Sequence, residues 1–169
     1  KDIWLAEAAL EAGQWNEAVT LLERFVHQNP NDGIGQIEMA STCVQIAEAS
    51  YLYEELKART HAPVISLIEL EEKFSASILQ AGRLSRSADV DRWKARGYAV
   101  FQPSPQAIRS FALMMPTAED TTALVAALRR LNNIKAAIDV ARRYPNNPST
   151  LIQQGFCYID TDPAQGLSL

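Results

Sequence analysis

The sequence predicts an all-α fold built from stacked antiparallel helical hairpins. Two observations support this prediction: residues 3–30 have the pattern of two amphipathic helices joined by a tight turn, and residues 117–148 repeat that layout. A hairpin of this length cannot bury its apolar face alone, so it requires stacked neighbours. We therefore expect residues 1–169 to form a single helical-repeat domain with an irregular stretch at 83–105.

Composition restricts the possible functions. The chain is 47% hydrophobic, as is usual for a globular protein. Its net charge of −4 gives it no general attraction to nucleic acid or an anionic membrane. No apolar run approaches the roughly 18 residues that span a bilayer. Because the chain begins without a methionine and ends at GLSL, where a helix would start, we expect a fragment of a longer protein. The compartment stays open between cytoplasm and bacterial periplasm.

The first hairpin is the best-defined element. Residues 3–12 are strong helix formers, and Gly13 is typical of a helix C-terminus. Residues 15–27 form the second predicted helix, whose apolar stripe is Ala18, Val19, Leu22, Phe25 and Val26. The turn cluster at 29–33 ends it.

This hairpin resembles the tetratricopeptide repeat (TPR), whose signature is matched in order and spacing by Leu5, Ala6, Ala9, Gly13, Trp15, Ala18, Leu22 and Pro30. The resemblance implies a right-handed, TPR-like α-solenoid of about five hairpins. Two positions depart from the family pattern. Asp2 stands where a large apolar residue is usual, and Phe25 where a small one is usual. We expect Phe25 to change the packing distance of the next helix, and Trp15 to lie in the hairpin seam.

The middle of the chain is less regular. Residues 34–47 predict a helix and 49–57 its partner, joined by a tight turn or running together because no glycine separates them. A long helix is predicted at 64–81, opened by Pro63 and ended by Gly82. A short helix follows, capped by Ser87 or Asp89 and ended by Gly97. The prolines at 103 and 105 exclude helix there.

Regularity returns in the last third of the chain. A helix is predicted at 106–115, and Thr117 caps the next one with Asp120 as the acidic partner of a capping box. Asn132 and Asn133 form a turn in which asparagine tolerates positive φ. Further helices are predicted at 135–144, at 149–159 and after Asp162-Pro163.

Catalysis and metal binding have little support in the sequence. His27 and His61 lie beside turns, while Cys43 and Cys157 have apolar neighbours and are expected to be buried thiols. There is no CxxC, HExxH or calcium-loop spacing, and Asp160 and Asp162 are explained by helix capping. We therefore predict no catalytic residue, no metal, no cofactor and no enzymatic activity.

The resemblance implies that the first helix of each hairpin lines a concave groove that binds a partner. By position, the groove residues are Ile3, Glu7, Leu10, Glu11, Glu119, Thr122, Ala126, Arg129 and Arg130. Arg129 and Arg130 suit bidentate capture of a carboxylate, or else they merely solvate a helix end and complement its dipole. A possible secondary site is Trp93, Lys94 and Arg96, where Trp93 is alternatively a core anchor.

The predicted function is a non-catalytic scaffold that docks a protein or peptide, or another domain of its parent protein. The alternative is the repeat domain of a bacterial surface-polysaccharide synthesis or export protein, which binds polymer or assembles the machine. Polymer binding requires exposed aromatic rings in the groove. Because the predicted groove holds no Trp or Tyr, the sequence favours a peptide over a polysaccharide and gives no indication of a nucleic-acid partner.

Overall fold

A computed structural model of the chain describes residues 2–55, 65–114, 117–143 and 147–161, and shows only helices over these ranges. This confirms the all-α prediction. The chain divides into two compact units, residues 1–97 and 98–169. The helices are α1 (Asp2–Glu11), α2 (Trp15–Gln28), α3 (Gly33–Glu55), α4 (Leu67–Leu84), α5 (Ala88–Phe101), α6 (Pro105–Leu113), α7 (Ala118–Arg130), α8 (Ile134–Ala141) and α9 (Pro148–Thr161).

Helices α1 and α2 form the predicted hairpin. Their shared core is made of small and aliphatic side chains: Ala6, Ala9, Ala18, Val19 and Leu22. Gly13 makes the turn with φ 73°, a conformation that strains residues with a Cβ. Trp15 is half-buried, as the seam position requires. Asp2, the first departure from the family pattern, accepts a hydrogen bond of 3.3 Å from Arg24 Nη2 and so ties the start of α1 to α2.

Phe25, the second departure, is accommodated by a glycine on the next helix. A Cβ placed on Gly35 of α3 would lie only 2.7 Å from Phe25 Cδ1, well inside van der Waals contact. The aromatic ring therefore occupies the space that a side chain at position 35 would fill. The large side chain on α2 is thus compensated by the lack of a side chain at the facing position of α3.

Gly35→Ala is expected to lower the free energy of unfolding by about 1–2 kcal/mol, the usual effect of moderate overpacking. The effect stays moderate because Phe25 is only half-buried and its ring has room to shift. Urea denaturation followed by circular dichroism measures it. In the Phe25→Leu background the same Gly35→Ala change should lower the free energy of unfolding by a smaller amount. Equal losses in both backgrounds would show that the ring is not the cause.

The segments at 34–47 and 49–57 run together as α3, one of the two predicted alternatives, and its described part reaches Glu55. Three predictions differ from the structure. Gly82 and Gly97 lie inside α4 and α5 rather than at their ends, and Pro105, where helix was expected to be excluded, is the first residue of α6, a position that needs no backbone N–H. Helix α4 begins at Leu67 because Ser66 Oγ accepts the Glu69 N–H at 3.1 Å. The Ser87 cap of α5 is confirmed, since Ser87 Oγ accepts the Val90 N–H at 3.2 Å.

In the second unit, α7 packs against α8 and α9, and α6 packs against α7. Thr117 Oγ1 accepts the Asp120 N–H at 3.1 Å and lies 2.7 Å from Asp120 Oδ2, so the predicted cap is confirmed. Asn132 has the expected positive φ, 57°. The predictions for His61, Pro63, the helix end at Met115 and the segment after Asp162-Pro163 fall outside the described residues.

Candidate functional site

The open face of α1 holds the groove residues predicted in the first unit. Glu7 and Glu11 are exposed, and Leu10 is half-buried. Trp4 joins them, since residues 4, 7 and 11 are spaced i, i+3 and i+7 along one helical face and the Trp4 side chain is 75% exposed. The groove predicted from the sequence does not include Trp4, and the spacing of Trp4 from Glu7 and Glu11 is the signal that places it on the same helical face.

Helix α3, which contacts α1, adds a further carboxylate to this surface. Partial burial raises the pKa of Glu38, and the negative charge of Glu7 raises it further. The like charges thus lie close enough to repel one another. We call Trp4, Glu7, Glu11 and Glu38 the acidic face. A cation placed there would relieve this repulsion.

The groove residues predicted in the second unit are largely engaged with other parts of that unit. Arg129 Nη1 donates to Gln153 Oε1 at 3.1 Å, and the Arg129 guanidinium lies 4.9 Å from the centre of the Phe156 ring. Arg130 donates to the carbonyl oxygen of Val100. Thr122 Oγ1 lies 3.0 Å from Thr150 Oγ1, and Glu119 is exposed. A partner-binding role for these four residues stays a prediction.

The predicted secondary site has one buried member, Arg96. Arg96 is 2% exposed and donates from Nε and Nη2 to the two carboxylate oxygens of Glu48 on α3, at 2.8 and 2.6 Å. Its guanidinium also lies 4.9 Å from the centre of the half-buried Trp93 ring. Lys94 is the exposed member of the three. This arrangement resembles the core-anchor alternative more than an open binding site.

The prediction of buried thiols is confirmed, since Cys43 and Cys157 are both buried and neither forms a disulfide. Burial raises the pKa of Cys43 to about 12, although the nearby charge of Lys73 lowers it slightly. Because the thiolate is the reactive form, Cys43 is unsuited to nucleophilic chemistry at neutral pH.

We expect Cys43 to resist alkylation in the folded protein. In a Cys157→Ser variant, iodoacetamide at pH 8 should label Cys43 at least about 100-fold more slowly than in urea, because only the unfolded chain exposes the thiolate. The raised pKa also means that the folded state keeps its thiol proton longer than the unfolded state. Stability should therefore fall as pH rises from about 9 towards about 12. Rapid labelling without urea would contradict this.

Two further features concern only the part of the chain that the structure describes. It holds no group of three or more His, Cys, Asp or Glu side chains arranged to bind a metal ion. None of its helices is both long and apolar enough to cross a membrane.

Comparison with known proteins bears on the first hairpin. Residues 3–32 match the family model for the tetratricopeptide repeat, a segment that covers α1, α2 and the turn after them. No curated protein and no solved structure matches the chain. The match confirms the resemblance that the spacing of small and aliphatic residues predicted.

Proposed function

Since residues 3–32 match the family model for the tetratricopeptide repeat, we propose that this chain is a non-catalytic interaction module whose acidic face docks a basic protein segment. TPR repeats generally mediate protein–protein interaction. The observation that supports this site is Trp4, whose side chain is 75% exposed on the same helical face as two exposed glutamates. Large exposed aromatic residues are the usual anchors of protein interfaces.

The negative charges of the acidic face predict that the partner segment carries positive charge. Glu7, Glu11 and Glu38 would pair with lysine or arginine side chains of the docked segment, while the Trp4 ring covers its apolar part or receives a cation. A bound cation would lower the raised pKa of Glu38 towards its ordinary value. At acidic pH, where Glu38 is partly protonated, docking should therefore release a proton, and affinity should weaken as the pH falls.

The test uses an array of dodecapeptides with randomised sequences and the purified chain. The retained peptides are expected to combine lysine or arginine with one large apolar residue. Trp4→Ala and the pair Glu7→Gln/Glu11→Gln should each weaken their binding about tenfold, equivalent to about 1.4 kcal/mol. The matched control is Glu72→Gln, an exposed glutamate on α4. Retention of acidic peptides, or equal binding by all variants, would exclude the acidic face.

A role in bacterial surface-polysaccharide synthesis or export is the second candidate, favoured by the exposed ring of Trp4. A sugar ring stacked on Trp4 would not need the carboxylates of Glu7 and Glu11. Binding of soluble bacterial exopolysaccharides, followed by tryptophan fluorescence, should then be lost in Trp4→Ala but unchanged in Glu7→Gln/Glu11→Gln. A polymer that leaves the fluorescence unchanged would remove this candidate.

A further inference from the structure

The first unit contains a cleft, formed where the α2–α3 turn meets the α4–α5 turn, that the proposed function does not use. Its volume is about 890 Å³. Residues 29–34 and Ile37 form one side, and Leu84, Ser85, Ser87 and Asp89 form the other. We call it the edge cleft, because it is built from inter-helix turns and helix ends. The acidic face, by contrast, is built from the sides of α1 and α3.

The floor of the edge cleft is apolar and open to water. Ile34 is 68% exposed, Leu84 is 37% exposed and Ile37 is half-buried. A partner that covered these side chains would gain about 25 cal/mol of favourable free energy for each Å² of apolar surface removed from water. A small molecule needs a site that encloses most of its surface, whereas an open cleft of this kind suits a side chain projecting from another protein.

The rim of the edge cleft is negative. The charged residues lining it, Asp32 and Asp89, are both acidic. Both lie at helix starts, where the helix dipole stabilises a negative charge. Charge complementarity therefore calls for lysine or arginine next to the apolar side chain that enters the cleft.

The walls of the edge cleft are held in place before any partner arrives. The carbonyl oxygen of Pro30 accepts hydrogen bonds from Gln36 Nε2 and from Gln80 Nε2, each at 3.3 Å. The second of these ties the α2–α3 turn to α4. Asp32 Oδ1 accepts the Gly35 N–H at 3.0 Å, which fixes the start of α3. A preformed site avoids the entropic cost of ordering loops on binding.

From this geometry we infer that the edge cleft is a second docking site, which takes an apolar side chain flanked by lysine or arginine from a protein segment. The inference does not depend on the acidic face. Each surface has its own residues, so variants of one leave the other intact. A chain with both sites would hold a basic partner at two points. Because the two binding events would be linked, the overall affinity would exceed that of either site alone.

The probe is a blocked, fluorescein-labelled octapeptide of alternating lysine and leucine, measured by fluorescence anisotropy at low salt. Asp32→Asn/Asp89→Asn should weaken its binding about fivefold, because both charges are removed while asparagine at position 32 keeps the side-chain oxygen that caps α3. Ile34→Ser should weaken it about fivefold through the lost apolar contact. Asp139→Asn, an exposed aspartate on α8, is the matched control and should change the affinity less than about twofold.

Amide chemical shifts of the ¹⁵N-labelled chain locate the bound probe. In a Trp4→Ala background, which impairs the acidic face, the amides of Gly33, Ile34, Ser85 and Ser87 should still shift. Peptides with glutamate for lysine, or serine for leucine, should not move them. The inference is overturned if the lysine–leucine peptide shifts none of these amides, or if the edge-cleft variants bind it as tightly as the control. Loss of all binding in Trp4→Ala alone would also overturn it, while leaving the proposed function standing.

Discussion

Glu48→Ala is expected to lower the free energy of unfolding by about 3–5 kcal/mol, the usual cost of removing one partner of a buried ion pair. Arg96 is 2% exposed, and Glu48 accepts two hydrogen bonds from its guanidinium. Without Glu48 the positive charge of Arg96 would stay in the interior and lose the carboxylate to which it donates two hydrogen bonds. Because Glu48 lies on α3 and Arg96 on α5, the loss weakens the packing of helices that are distant in sequence.

Urea denaturation of matched variants separates the charge from the packing. Glu48→Gln keeps the shape of the side chain and one hydrogen-bond acceptor. It should therefore lower the free energy of unfolding less than Glu48→Ala does. The double variant Glu48→Leu/Arg96→Met replaces both charges by apolar groups and should recover most of the stability. If Glu48→Ala cost less than about 1 kcal/mol, the pair would behave as a surface ion pair and the interior assignment of Arg96 would be wrong.

The parts of the fold that the sequence predicted are those with local causes. The first hairpin follows from helix formers, a glycine turn and one apolar stripe, and the Thr117 cap from a hydroxyl three residues before a carboxylate. The sequence predicts helix ends at Gly82 and Gly97 because glycine costs about 1 kcal/mol inside a helix. Tertiary packing outweighs that cost here, and no local pattern shows it.

The distinction between local and tertiary causes also explains which features of the candidate site could be predicted. Glu7 and Glu11 are assigned to the groove from a repeat whose spacing is local, and both side chains are exposed. The contacts of Arg96, Arg129 and Arg130 reach residues 48, 24 and 30 positions away. Charge and helix position alone do not distinguish an arginine that meets such a neighbour from one that faces solvent.

Gly97→Ala is expected to destabilise the protein by about 3 kcal/mol, at the upper end of what overpacking costs. A Cβ at position 97 would lie 2.8 Å from Phe74 Cε1 and closer still to the ring's Cζ. Phe74 is 1% exposed, so its ring has no free space to move into. This distinguishes the site from Gly35, where the half-buried Phe25 can shift. The contact also explains why position 97 is a glycine, since any Cβ there would meet the Phe74 ring of α4.

Gly82→Ala is the matched control, because Gly82 is also helical but exposed, with Val90 Cγ1 at an ordinary 3.8 Å from the added Cβ. It should raise the free energy of unfolding by about 0.5–1 kcal/mol, since alanine favours helix and meets no clash. Phe74→Leu should reduce the penalty of Gly97→Ala by at least about 1 kcal/mol, as coupled neighbours do in a double-mutant cycle. If the two alanine substitutions changed stability alike, helix propensity alone would explain position 97 and the close approach of α5 to Phe74 would be refuted.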